Sequence, residues 1–185
     1  GSRRAARCTE EEPLAAPTKR QRAAPATFAE LHAKLGGVPL DRILMNPPPD
    51  TASEADLVTA WRTPPHHRCE LVEGTLVEKF GSFLGGLTVA ALCGFIGKWL
   101  DDTDTGAAFT GNVAYRLRPG RIRSPSLSYI PWERFPNGEL TDEEVSSVVP
   151  TLVIEVPNET NTPEEVARKI ADYFAAGCKL AWVID

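Results

Sequence analysis

The stretch from Thr151 to Asp185 constrains this chain most. Two apolar runs, Leu152-Val-Ile-Glu155-Val and Leu180-Ala-Trp-Val-Ile184, flank a segment punctuated as a helix at both ends. Thr162 is an N-cap with Glu165 three residues on, Pro163 fills the first helical position, and Gly177 supplies a left-handed stop. That order predicts strand 151–156, helix 163–176 and strand 179–184. It is a βαβ-like unit, or a strand–helix–strand with a sheet neighbour between. The first strand carries a Glu inside an apolar run, which is costly to bury unless the acid is paired or used. Alternation puts Glu155 on one face with Thr151 and Val153, near the carboxyl end of its strand, where α/β sheets place ligands. Lys169 falls about two turns into the helix, on one side with Glu165 and Tyr173.

Upstream, Thr27 caps a short helix in which Phe28, Leu31 and Leu35 keep helical spacing, and Gly36-Gly37 ends it. Thr51-Ala-Ser-Glu54 opens another, running through Trp61. Residues 69–78 read as a β-hairpin turning at Glu73-Gly74. Residues 113–117 and 122–130 read as a second pair of strands around Pro119-Gly120, followed by a long acidic loop. Phe80 to Gly97 carries no charge over 18 residues, about the minimum for a membrane span. Five glycines dilute it, and Leu92, Phe95, Ile96 and Trp99 keep a helical pattern, so a buried core helix over about 84–100 is expected, with no membrane. The fold class is therefore α/β (α+β), a mixed β-sheet flanked by helices.

The 185 residues fit one domain, 27–185, behind a disordered leader, 1–26. Gly1-Ser2 without Met looks like a cloning scar. The stop at Asp185, straight after a strand, is the end expected of a shortened chain. Net charge is −5; the leader holds six basic and three acidic residues, leaving the domain about −8. Such a domain attracts phosphate weakly. Cys8, Cys69, Cys93 and Cys178 lie far apart without a Cys-x-x-Cys pair, which suggests free thiols and a reducing, cytoplasmic setting. His66-His67 has no third ligand and reads as loop.

Hydrolysing a phosphodiester with Mg²⁺ needs carboxylates to hold the ion and a cation to orient water. Glu155 and Lys169 supply half of that. The segments Glu70-Leu-Val-Glu-Gly74, Arg123-Ser-Pro-Ser-Leu-Ser-Tyr-Ile130, Leu152-Val-Ile-Glu155-Val and Lys169 to Gly177, with Trp182-Val-Ile-Asp185, resemble the Uma family. The resemblance covers about residues 65–185. It implies the restriction-endonuclease-like PD-(D/E)XK nuclease fold and a Mg²⁺-dependent endonuclease acting on DNA. Carried over by position, Glu155 is the metal-binding Glu, Lys169 the lysine that orients water, and Glu70 a recurrent acid on the first hairpin, taken here as a second metal ligand. Pro125 and Ser126 occupy the Pro-Asp site, so Ser126 stands where the metal-binding Asp belongs. Pro157-Asn158 replaces the usual Leu-Ser, and the usual continuation after the last strand is absent. The expectation is an endonuclease weakened or inactive through loss of that Asp, and of its Mg²⁺ with it. The alternative is a non-catalytic binding or assembly module, with a homodimer open to it. Read without the resemblance, Glu155 could pair with Arg123 or Arg168, and Lys169 with Glu165 on an exposed face.

Overall fold

The computed structural model describes residue 25 and residues 27–185, so the expected leader lies outside the described residues except for Pro25. The first helix, α1 (Phe28–Leu35), starts on Thr27, whose hydroxyl accepts from the Glu30 amide, and stops at Gly36 in the left-handed region. Helix α2 (Glu54–Arg62) is capped by Ser53 in a full capping box with Asp56. The hairpin forms as read, β1 (Cys69–Val72) and β2 (Thr75–Glu78), turning through Glu73 and Gly74 at positive φ. Gly74 admits no side chain, because a Cβ there would lie 2.9 Å from the backbone of Asp50.

Helix α3 (Phe83–Thr103) follows, then β3 (Gly106–Thr110), β4 (Ala114–Arg118), β5 (Arg121–Arg123), β6 (Leu127–Pro131), β7 (Val145–Ser146), β8 (Leu152–Glu155), α4 (Pro163–Ala175) and β9 (Leu180–Val183). These strands build two mixed sheets, ordered β2-β1-β5-β4-β7 and β3-β6-β8-β9. The expected single strand 122–130 is two strands in different sheets, broken at Ser124-Pro125-Ser126. Pro125 has no amide to give a ladder. The Ser124 hydroxyl donates to the carbonyls of Gly111 and Val113, which turns the chain from one sheet into the other. The predicted βαβ unit is present, with β8 and β9 parallel and adjacent and Leu152 opposite Leu180.

Helices α1 and α2 cover the two faces of the hairpin sheet. Leu31, Leu35 and Val38 pack on Val72 and Val77, while Leu57 packs on Leu71, Leu76 and Ile122. Helix α4 buries Tyr173 against Val153 and Cys178. Helix α3 departs from expectation. It forms as a helix but buries none of its residues, and Phe83, Leu84, Leu87 and Phe95 face outward. By length and composition it is apolar enough to cross a membrane.

Candidate functional site

Three predicted site residues meet in the seam between the sheets and α4. Glu70 on β1, Glu155 at the end of β8 and Lys169 on α4 are each less than 5% exposed. The Lys169 ammonium lies 3.2 Å from Glu70 Oε1 and 3.7 Å from Glu155 Oε1. The alternation read from sequence produces this meeting. Val153 packs on α4 beside Tyr173, so Glu155, two residues on, turns to the same side. On α4 the i, i+4, i+8 series Glu165, Lys169, Tyr173 is the buried stripe. Lys169 is thus not on an exposed face. Arg168 donates instead to the carbonyls of Ala33 and Lys34.

Each acid is held by specific donors. Glu70 Oε1 also accepts from the Ser124 amide at 3.0 Å, and its Oε2 from Arg123 Nη1 at 2.9 Å. Glu155 Oε1 accepts from the Tyr173 hydroxyl at 2.8 Å. Arg123 reaches onward to Asp172 on α4 at 2.8 Å, and Arg121 joins Asp172 and Glu73. Glu165 is clamped by both terminal nitrogens of Arg42, at 2.8 and 2.9 Å. The network therefore crosses from β1 and β5 to α4, and it gives buried charges the partners they require.

Ser126 sits at the rim. The β6–β8 register pairs Leu127 with Ile154; continued by one residue, it sets Ser126 across from Glu155. The Ser126 hydroxyl accepts from the Val156 amide at 3.1 Å. Ser126 also lines a cavity of about 780 Å³, together with Arg68, Lys79, Ser124, Val156 and Gly85 of α3, whereas Glu70, Glu155 and Lys169 lie outside its wall. Lys79 connects the two regions. It lines the cavity and donates to the Ser124 carbonyl, and its charge acts on Glu155, Lys169 and Glu70. Sequence reading missed Lys79, Asp172 and the role of Tyr173, because none carries a local signal beyond a polar group at the end of an element.

Electrostatics sort these groups. Burial opposes ionisation of Glu70, but Lys169, Arg123 and Lys79 outweigh it and hold the carboxyl far below the usual range. Burial also opposes the Lys169 charge; Glu155 and Glu70 overcome it and raise the ammonium above an ordinary lysine. Lys79 goes the other way, lowered chiefly by burial, with Lys169 adding repulsion. Burial and the neighbouring Glu155 and Glu70 push the Tyr173 hydroxyl well up, so it stays a neutral donor. Burial pushes Glu165 up, but the hydrogen bonds from Arg42 and Asn161 together with the charges of Lys169 and Arg42 outweigh it and lower the carboxyl.

A pH dependence follows. Glu70 and Glu165 titrate lower folded than unfolded, so their stabilisation is complete above the unfolded value of about 4.3 and is lost as pH falls toward their folded values. Urea unfolding should give midpoints that fall steadily below about pH 4. Glu165→Gln should flatten that fall. A slope unchanged in this variant would show that the Arg42 clamp does not contribute.

The donor set does not fit a divalent ion. Mg²⁺ takes oxygen ligands in near-octahedral geometry. Here both Glu70 oxygens are engaged, Ser126 offers a neutral hydroxyl, and Glu155 alone remains as an acid. Among the described residues no group of three His, Cys, Asp or Glu is placed to hold a metal. Three acids, Glu70, Glu155 and Asp172, already face three cations, Lys79, Arg123 and Lys169. With Arg121 also on Asp172, none of these carboxylates is without a cation, so none is left over to compensate a divalent ion.

Comparison with solved structures finds a likeness to a protein from Anabaena variabilis ATCC 29413, described as a "putative nuclease belonging to DUF820". The TM-score is 0.59 at 18% identity, over 72% of this chain and 73% of that one, which shows a shared fold. No curated protein matches. A family described as "Uma2: Putative restriction endonuclease" matches residues 55–185, a span that takes in β1 through β9 and all three converging residues, and the chain belongs to that family.

Proposed function

We propose that this domain descends from Mg²⁺-dependent DNA endonucleases and has weak or no phosphodiester hydrolysis of its own. In the lineage Glu155 and Glu70 would hold the ion and Lys169 would orient water. One observation carries the reading: Glu70, the acid that pairs with Lys169 beside Glu155, has both oxygens committed to Arg123 and the Ser124 amide. With Ser126 at the Asp position, a single carboxylate is left for an ion that needs several oxygen ligands. Lys169 is likewise committed, to neutralising two buried acids.

Incubating supercoiled plasmid with the purified chain and saturating Mg²⁺ or Mn²⁺ tests this. Nicking no faster than that of a Glu155→Gln, Lys169→Met variant is expected; vigorous cleavage by the unaltered chain would overturn it. A second reading, a non-catalytic binding or assembly module on the nuclease fold, is favoured by the outward apolar face of α3. DNA affinity measured against salt separates the two. A steep salt slope belongs to the nuclease lineage, and absent affinity to the module.

A further inference from the structure

Helix α3 has two unlike sides. Gly85, Val89, Leu92, Ile96 and Leu100 are half-buried toward the body of the protein. On the opposite side Phe83, Leu87, Ala91 and Phe95 follow one another at i, i+4 steps, with Leu84 alongside, and all are exposed. Phe83 is 96% exposed and Phe95 77%. With Trp99, these side chains leave on the order of 600 Å² of apolar surface open. A monomer rarely presents more than a few hundred Å² in one patch, and a standard stable interface buries about 800 Å² per partner.

The charges say what covers it. From Phe83 to Gly97 the helix has none; then come Lys98, Asp101 and Asp102. Its first turn carries no acid and its last turn no base. The positive end of the helix dipole is therefore unmatched, and the negative end faces two acids of its own. An antiparallel copy corrects both ends at once, because Asp101 and Asp102 of each helix then lie beside the first turn of the other. The 21 residues span about 31 Å, and their midpoint falls where the exposed side is small, at Ala90, Ala91 and Gly94. Nothing lies within reach of a Cβ at Gly94, so a second backbone has room to approach.

A bilayer fits less well. Both ends of α3 are tied to the same body: a Cβ at Gly85 would touch Val156, and Trp99 meets Tyr129 edge-on with ring centroids 5.4 Å apart. A spanning helix would have to leave these contacts and take its half-buried side with it.

We propose that the chain forms a two-fold dimer by antiparallel packing of α3 on α3 of a second copy, with Ala91 and Gly94 near the axis and Phe83, Leu84, Leu87 and Phe95 covered on the flanks. Light scattering on the eluting full chain, at micromolar concentration and without detergent, should give about 40 kDa, twice the 20.1 kDa of one copy. Leu87→Glu and Phe95→Glu, which alter exposed positions, should elute as monomers with unchanged circular dichroism. Asp101→Lys with Asp102→Lys should raise the dimer dissociation constant at least ten-fold. In a Cys8→Ser, Cys93→Ala background, Ala91→Cys should oxidise to a cross-linked dimer while Leu84→Cys should not, a result that does not depend on the glutamate variants folding. A monomeric parent chain, a dimer untouched by Leu87→Glu and Phe95→Glu, or cross-linking at Leu84→Cys instead of Ala91→Cys would each overturn the proposal. So would a monomer that partitions onto phosphatidylcholine vesicles, which would assign this face to lipid.

Discussion

Replacing Glu70 with alanine should destabilise the protein by about 3–5 kcal/mol, the usual consequence of removing one partner from a buried ion pair. That is a large part of the 5–15 kcal/mol by which domains of ordinary size are stable. The loss arises from what remains. Arg123, at 1% exposure, keeps only Asp172; the Ser124 amide loses its acceptor; and Lys169 is left with Glu155 at 3.7 Å. Glu144→Ala is the control. Glu144 also pairs with an arginine, Arg62, but at an exposed site, where such pairs contribute about 0–1 kcal/mol. Tryptophan fluorescence in urea reads both variants. If Glu70→Ala costs no more than Glu144→Ala, the cluster is not what holds β1 and β5 to α4, and Glu70 is free to act as a metal ligand after all.

The elements that sequence revealed are those specified locally. Thr27 and Thr162 cap their helices because a hydroxyl three residues before a free amide is a short-range arrangement. Glu73-Gly74 turns because Gly74 takes positive φ without steric cost, and the two-residue turn carries Glu73 into the left-handed region with it. The period of its strand places Glu155, whereas the family resemblance singles out Lys169, since helical spacing alone leaves an exposed face equally open to it. The misses all depend on partners far along the chain. Strand β3, Gly-Ala-Ala-Phe-Thr, has almost no β-propensity pattern and exists because β6 pairs with its whole length. The break at Ser124 to Ser126 needs the carbonyls of Gly111 and Val113 to be in place. For α3 the spacing gave the helix, but spacing does not say whether an apolar side meets its own domain or another molecule. Lys79 was invisible for the same reason, since its importance lies in Ser124, Glu155 and Glu70, residues 45, 76 and 9 positions away.

Placing an acid at the rim should create a metal site only if the resident cation leaves with the same change. Ser126→Asp sets a second carboxylate across from Glu155 by register, and paired acids are the minimum a divalent ion requires here. Lys79, however, lines the same cavity, with its ammonium turned to the Ser124 carbonyl. In the single variant the new carboxylate and that ammonium would neutralise one another, and the ion would gain little. Ser126→Asp combined with Lys79→Met removes the competitor while keeping an unbranched apolar side chain of similar reach. Mn²⁺ titrated by calorimetry should then bind about 10²-fold more tightly than to the parent, since one charge has been added and one repulsion removed at close range. Adding Glu155→Gln should erase that gain, because it deletes the acid across from the new one. Equal Mn²⁺ affinity in the parent, the double variant and the triple variant would mean that positions 126 and 155 do not share a coordination sphere. The family's metal chemistry would then have to be sought elsewhere in this chain.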